Sequence, residues 1–239
     1  MFNFFNTLLF GIYPYIALTV LVLGSIIRYD REPYSWRSGS SQLLRRNQLM
    51  WGSILFHVGV LLIFCGHLVG LLTPLAFWDM LGVSHEFKQI MAMSLGGVAG
   101  IMGIVGATLL VHRRLFDPRV RASSSHSDTM IICLLWLQLL LGLITIPFSM
   151  EHLDGSEMIK FMYWAQGIFT FNLSASGYIS NVPLIFKLHI FLGLTILFLF
   201  PFTRLVHMLS APVRYIWRPG YQIVRRKERN PIKVHELAE

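Results

Sequence analysis

The chain has 239 residues, of which 54% are hydrophobic and 13% are charged, and its mean hydropathy is +0.59. Because a soluble domain carries about 25% charged residues, this composition argues against an ordinary soluble globular protein. The formal net charge of +8 suits nucleic acid only if it forms a patch on a soluble surface, so the placement of the basic residues decides its meaning.

Five long apolar runs follow one another along the chain, at residues 4–27, 50–72, 87–111, 129–148 and 183–209. Each is close to the roughly 20 residues that cross a bilayer as a helix, and none shows the alternation of a membrane strand. We therefore predict an all-α membrane protein with five transmembrane helices. Residues 1–211 form the membrane domain and residues 212–239 a basic cytoplasmic tail. In the longest connection, residues 158–171 predict a helix at the outer interface.

The connections alternate in charge. Basic residues follow the first, third and fifth spans: Arg28, Arg31, Arg37, Arg45 and Arg46; Arg113, Arg114, Arg119 and Arg121; Arg214, Arg218, Arg225, Arg226, Lys227, Arg229 and Lys233. The other two connections hold mainly acids, with only Lys88 and Lys160 against them. The positive-inside rule predicts an N-terminus outside, in the periplasm, and a C-terminus in the cytoplasm. The basic excess is thus topological, and we expect no nucleic-acid partner.

Four histidines lie within or at the edge of the second and fifth spans, where ionisable side chains are costly and usually functional. They are His57, His67, His189 and His207. Because the two spans run in opposite directions, His67 and His189 are predicted near the outer side, and His57 and His207 near the inner side. Two histidine pairs at two depths are what two bis-histidine b-type haems require.

The spacing of these histidines fits two straight helices poorly. His189 and His207 are 18 residues apart, about 27 Å along one helix, whereas His57 and His67 are 10 apart, about 15 Å. A kink at Pro201 or a tilt accounts for part of this difference. Packing of the four histidines against neighbouring helices is the plain alternative to haem ligation.

Other residues near these depths suit a haem or a quinone. Arg113, Arg114 and Arg204 are candidates for binding the propionates of the inner haem, although basic residues at span ends also snorkel to the interface. Lys88 begins the third span at the depth of His67, where it can donate to a quinone carbonyl or simply anchor the helix. A transporter that uses the histidines as a relay, or a haem-free anchor, remains open at this point.

Long motifs make the chain resemble one family. They are IYPYIA at 12–17, LFHVG around His57, GHLVGLLTP at 66–74, FKQIMAM around Lys88, RRLFDPRVRA at 113–122, LLGLITIPFS at 140–149, HLDGSEM at 152–158, LIFKLHI around His189 and FPFTRLVH ending at His207. The chain resembles the gamma subunit of respiratory membrane-bound nitrate reductase, a five-helix dihaem cytochrome b. Residues 77–84, residues 173–181 and the tail after Tyr221 depart from the family pattern.

The resemblance implies specific roles. His67 and His189 would ligate the outer haem b, and His57 and His207 the inner haem b. Membrane quinol would be oxidised near the outer haem, at positions that include Gly66, His67 and Lys88. Electrons would pass through both haems to an iron–sulfur beta subunit and then to a molybdenum alpha subunit that reduces nitrate to nitrite.

The resemblance also implies an assembly and a location. The three subunits would form a heterotrimer, which can dimerise, in the cytoplasmic (inner) membrane, with this chain as its multi-pass subunit in contact with lipid. The alternative within redox biology is the membrane cytochrome of a related quinone-linked complex of the sulfite-reduction or heterodisulfide type.

Overall fold

The computed structural model describes residues 2–36 and 43–210. Its α-helices are α1 (Phe2–Thr7), α2 (Tyr13–Arg31), α3 (Arg46–Leu72), α4 (Leu75–Met80), α5 (His85–Phe116), α6 (Pro118–Ala122), α7 (His126–Met150), α8 (Ser156–Phe169) and α9 (Leu184–Leu199). No strand occurs in these two ranges. The chain divides into a unit Met1–His207, described below, and a second unit Met208–Glu239. The predicted tail and Arg37 lie outside the described residues.

Within residues 2–36 and 43–210, five helices are long and apolar enough to cross a membrane: Phe4–Arg31, Arg46–Leu72, His85–Phe116, His126–Met150 and Leu184–Phe202. This confirms the predicted five-helix membrane fold. The third and fourth helices begin earlier than their apolar runs because polar side chains cap them. The Ser84 hydroxyl accepts from the Phe87 backbone N–H at 3.2 Å, and that of Ser125 accepts from Asp128 N–H at 3.1 Å.

The first span is continuous, because α1, a π-helical segment Leu8–Ile12 and α2 follow without a break. Pro14 has no backbone N–H, so the carbonyl of Phe10, four residues earlier, has no α-helical donor. The Trp164 indole Nε1 donates to that carbonyl at 2.8 Å. Pro14 thus leaves the Phe10 carbonyl free to accept the hydrogen bond that joins the first span to α8.

The spans pack against one another in the order α3 on α5, α5 on α7, α7 on α9 and α9 on α2. Glycines bring α3 and α5 close together. A Cβ added at Gly59 would lie 2.5 Å from the Gly103 backbone nitrogen, and one added at Gly106 would lie 2.3 Å from that of Phe56. Small residues are the usual means of close helix approach in membranes, where van der Waals packing drives association.

We expect Gly106→Ala to destabilise the protein, since its methyl group has no room between the two backbones. Overpacking of this kind typically costs about 1–3 kcal/mol. The thermal midpoint of the purified complex should fall well below that of Gly96→Ala, a matched change on the same helix where a Cβ meets nothing within 4 Å. Equal midpoints for the two variants would contradict this account of the α3–α5 contact.

The helix predicted at residues 158–171 is present as α8, but it is more deeply packed than an interfacial helix. Trp164, Ala165 and Ile168 belong to a buried cluster that also contains Phe10, Ala175, Ile179, Val182 and Phe186. Gln166 Nε2 donates to the carbonyls of Leu71 at 3.1 Å and Thr73 at 3.2 Å. Because the last carbonyls of a helix have no partner within it, Gln166 supplies a donor at the end of α3.

The prediction of one apolar helix over 183–209 is wrong at its C-terminal part. The span ends at Phe202, Thr203 is extended with φ −121° and ψ 179°, and a separate 3₁₀ segment covers Arg204–Ser210. His207 therefore does not continue along the axis of α9. This break removes the assumption behind the 27 Å separation of His189 and His207 calculated for a straight helix.

Candidate functional site

The four histidines singled out by the sequence lie in two pairs, one between α3 and α9 and one between α3 and the 3₁₀ segment Arg204–Ser210. The ring centres of His67 and His189 are 6.3 Å apart, with an interplanar angle of 44°. The ring centres of His57 and His207 are also 6.3 Å apart, with an angle of 71°. The structure thus brings together the residues of each predicted pair. Their assignment as haem ligands stays a prediction.

The separation within each pair suits a single metal ion held between two imidazoles. With metal–nitrogen bonds of about 2.0–2.1 Å, and about 1.1 Å from nitrogen to ring centre, a linear arrangement separates the centres by about 6.3 Å. Among the described residues, no three His, Cys, Asp or Glu side chains are grouped to hold a bare metal ion. Two protein ligands fit a haem iron, whose macrocycle provides the other four ligands.

Backbone carbonyls orient three of the four rings. His57 Nδ1 donates to the Ser53 carbonyl at 2.7 Å, and His67 Nδ1 donates to that of Ile63 at 2.8 Å. His207 Nδ1 likewise donates to the Arg204 carbonyl. Because a carbonyl only accepts, Nδ1 carries the proton and Nε2 keeps a free lone pair. This is the usual outer-shell arrangement of a metal-binding histidine.

His189 differs from the other three. Its Nε2 lies 3.4 Å from the side-chain Nε2 of Gln138, which also donates to the His189 carbonyl at 3.1 Å. Its Nδ1 is buried without a hydrogen-bond partner among the described residues. Ligation through Nε2 would exchange the Gln138 contact for a metal bond. Gly142 permits this close approach of α7, since a Cβ there would lie 3.0 Å from His189 Cε1.

Two of these histidines and three glycines of α3 and α5 border open space. His57 and His67 are exposed although they lie within an apolar span, where an exposed polar surface is unfavourable. A Cβ added at Gly66, Gly70 or Gly96 would meet nothing within 4 Å. These glycines therefore differ from Gly59 and Gly106, which serve helix packing.

Lys88 is 2% exposed, which is rare for lysine. Its Nζ lies 2.9 Å from the Met162 Sδ and 4.7 Å above the centre of the Trp78 ring. A thioether is a weak acceptor, and an ammonium has three N–H donors, so Lys88 retains capacity for a stronger acceptor. Gly66 and His67 lie instead on the exposed face of α3, and their described contacts do not include Lys88.

Two of the three arginines predicted to hold propionates share a carboxylate, which the sequence does not reveal. Asp128 Oδ2 is 3.5 Å from Arg114 Nη1, and its Oδ1 is 3.9 Å from Arg204 Nε. Arg113 is 2% exposed and donates to the Leu44 carbonyl at 2.7 Å. The structure therefore brings Arg114 and Arg204 together around Asp128, at the base of the segment that carries His207.

A second ion pair lies at the C-terminal end of α5. Arg45 Nε lies 2.7 Å from Asp117 Oδ2. The backbone N–H of Val120 and then that of Arg119, with the Arg45 guanidinium, hold the pKa of the Asp117 carboxyl below its usual value. The carboxylate thus stays ionised at neutral pH and caps α6, where it joins the starts of α3 and α6.

Comparisons with known proteins agree on one family. Residues 6–227 match the family described as the nitrate reductase gamma subunit. The chain is 49% identical over 225 residues to the respiratory nitrate reductase 1 gamma chain of Escherichia coli strain K12, covering 94% of this chain and 99% of that protein. It is 38% identical over 220 residues to the nitrate reductase gamma chain of Bacillus subtilis strain 168, covering 92% and 98%.

A more distant match extends to another kind of complex. The chain is 24% identical over 257 residues to the Hdr-like menaquinol oxidoreductase cytochrome b-like subunit of Archaeoglobus fulgidus, covering 83% of this chain and 76% of that protein. The chain is therefore less similar to this relative than to the two gamma chains.

Proposed function

Because the chain belongs to the nitrate reductase gamma subunit family, we propose that it oxidises membrane quinol and passes the electrons through two b haems to its partner subunits. Gamma chains are membrane cytochrome b subunits of respiratory nitrate reductase, an oxidoreductase complex that also has alpha and beta subunits. The proposal adds the number of haems, the residues that hold them and the source of the electrons.

The observation that carries the proposal is the 6.3 Å separation between the ring centres of His67 and His189, and the equal separation between those of His57 and His207. His67 and His189 would hold one haem, and His57 and His207 the other. When bound, each haem would supply one-electron transfer, and the two histidines would hold its iron. The carbonyls of Ser53, Ile63 and Arg204 support this assignment, because each fixes the tautomer that leaves Nε2 free.

Arg113, Arg114 and Arg204 would bind the propionates of the haem held by His57 and His207. Asp128 already neutralises part of the charge of Arg114 and Arg204, so a propionate would join an existing network of charge-assisted hydrogen bonds. The buried position of Arg113 favours a role for its guanidinium inside the protein over snorkelling to the interface.

The charge pattern supports an orientation with the His67–His189 pair on the outer side. Arg45, Arg113 and Arg114 lie at the same end of the bundle as His57 and His207, and this end would face the cytoplasm. Quinol protons would be released outside while electrons move inward. Moving one charge against 100 mV costs about 2.3 kcal/mol, which the reaction of quinol with nitrate would supply.

Quinol would bind near the His67–His189 pair, with Lys88 as a hydrogen-bond donor to one quinol oxygen. The thioether of Met162 and the ring of Trp78 hold the Lys88 ammonium without giving it a strong acceptor. Gly66 would leave room beside His67, since a Cβ there meets nothing within 4 Å.

We expect Lys88→Ala to lower quinol oxidation by about tenfold to a hundredfold, because a hydrogen bond to a charged group is worth about 1.5–3 kcal/mol. Quinol-dependent nitrate reduction measures the effect, and both haem spectra should stay unchanged. Lys160→Ala is the matched control, since Lys160 is the other lysine of the acidic connections and binds Glu157 at 2.6 Å. Unchanged quinol kinetics in Lys88→Ala would remove Lys88 from the site.

The partners would be an iron–sulfur beta subunit that accepts the electrons and a molybdenum alpha subunit that reduces nitrate to nitrite, in a heterotrimer that can dimerise. A haem-free transporter would need further ionisable groups along a pathway, whereas His57, His67, His189 and His207 form two pairs, and no third His, Cys, Asp or Glu among the described residues joins either pair to hold a metal ion. The resemblance to an Hdr-like subunit keeps a related quinone-linked complex as the weaker alternative.

A further inference from the structure

The break in the fifth span exposes backbone carbonyls that need hydrogen-bond donors. The α-helix ends at Leu199 and gives way to the 3₁₀ turn Phe200–Phe202 and to extended Thr203. The last carbonyls of a helix have no partner within it. Pro201 and Thr203 are both buried, so an unpaired carbonyl at either residue would be costly.

Arg28, near the end of α2, supplies these donors. Its Nη1 donates to the carbonyl of Pro201 at 2.7 Å and to that of Thr203 at 2.8 Å. Its Nη2 donates to the Ser35 carbonyl at 2.9 Å, and its Nε donates to the Ser35 hydroxyl at 3.1 Å. The fixed fork of a guanidinium suits this use, and a single side chain thus joins the first span, the turn after it and the broken fifth span.

Gly24 lies one helical turn before Arg28, on the same face of α2. A Cβ added at Gly24 would lie 2.8 Å from the Cγ of Pro201, which leaves no room for a larger residue. Gly24 therefore admits the Pro201 ring, and Arg28 binds the carbonyls that follow. Two residues of α2 therefore contact the break: Gly24 by close packing and Arg28 by hydrogen bonds.

The direction taken by the chain after the break determines where His207 lies. His57 and His67 are about 15 Å apart along α3, and their ring centres are each 6.3 Å from that of a partner on the fifth span. A straight helix would carry His207 about 27 Å beyond His189. The turn at Pro201 and Thr203 therefore has to bring His207 back to the level of His57.

We propose that Arg28 is a positioning residue for His207: its bonds to Pro201 and Thr203 fix the break that aligns His207 with His57. The inference rests on the proposed function, because it takes His207 to be a haem ligand and makes Arg28 the residue that positions it. His207 is four residues beyond Thr203, in a short 3₁₀ segment, so a shift at the break moves the ligand. Binding sites of this kind need their groups held within about 0.5 Å.

The effect should be selective for one haem. Arg28 contacts Ser35, Pro201 and Thr203, whereas His189 precedes Pro201 by twelve residues, about 18 Å along a helix. The His67–His189 pair lies on the intact part of the fifth span. Loss of the Arg28 contacts should therefore leave that pair in place.

The test compares Arg28→Gln, Arg28→Lys and Gly24→Val in the complete complex. Arg31→Gln is the matched control, since it removes the same charge from an exposed position at the same helix end. Haem per chain and the redox titration of each low-spin haem signal are measured, and the signal lost in His207→Ala identifies the haem of the His57–His207 pair. In Arg28→Gln and Gly24→Val, this signal should lose more than half of its intensity, or its redox potential should change clearly. Arg28→Lys should keep more of it, and Arg31→Gln all of it.

Two failures would be distinguishable. If the unmodified complex holds two haems and Arg28→Gln keeps both with unchanged titrations, Arg28 does not position His207 and only this inference is overturned. The same holds if Arg28→Gln affects both haems equally. An unmodified complex without two haems would overturn the proposed function, and this inference with it.

Discussion

His207→Ala is expected to remove one haem and to interrupt electron transfer to the partner subunits. The haem content should fall from about two to about one per chain, because His207 and His57 face each other as one ligand pair. Quinol-dependent nitrate reduction should fall by more than about a hundredfold, since even outer-shell partners of a metal ligand typically cost 10–100-fold. The remaining haem should still be reduced by quinol.

The measurement is a reduced-minus-oxidised spectrum of the purified complex, recorded once with quinol and once with dithionite as reductant. His126→Ala is the control, because His126 is exposed at the start of α7 and should keep both haems. Retention of both haems in His207→Ala would contradict the assignment of this pair.

His67→Ala should have the opposite pattern of reduction. It should also lose about one haem per chain, but the remaining haem, held by His57 and His207, should be reduced by dithionite and no longer by quinol. The reason is that the proposed quinol site lies beside the lost haem. Both variants would thus lose quinol:nitrate activity. In His67→Ala electrons would no longer enter from quinol, and in His207→Ala they would no longer leave for the partner subunits.

Fast reduction of the remaining haem by quinol in His67→Ala would contradict the order of the two haems along the electron path. Loss of both haems in each variant would indicate that the histidines stabilise the fold together. In that case His57→Ala and His189→Ala, the opposite members of the pairs, are expected to behave like their partners, and a difference within a pair would argue against shared ligation.

Much of the fold follows directly from the sequence. Apolar runs of about 20 residues have one stable structure in lipid, the helix, so the ends of the first four spans were predictable to within five residues. The antiparallel course of the second and fifth spans was sufficient to predict which histidines face each other. His67 lies beside His189, and His57 beside His207, as that argument requires.

The course of the fifth span was not predictable in the same way. Its apolar run continues through Thr203 to residue 209, and hydropathy does not distinguish a helix from a broken helix whose carbonyls are satisfied by another span. The donor that satisfies them, Arg28, is distant in sequence and was interpreted only as a topological charge. Tertiary contacts of this kind override the local pattern.

Other residues of the site were missed for the same reason. Gln138 and Asp128 are polar residues on α7, and only packing shows that Gln138 contacts His189 and that Asp128 joins Arg114 to Arg204. Their polarity within or at the end of an apolar span was the available signal. The glycines posed the reverse problem, because the sequence does not separate Gly106, which packs against α3, from Gly66, which faces open space.

The most direct test of the central claim is the haem content of the complete complex. A pyridine haemochrome assay, combined with quantification of this chain, gives the number of b haems per chain. We predict about two, one for each histidine pair. A value near one or zero would contradict the claim that the two pairs between α3 and the fifth span are both haem-binding sites.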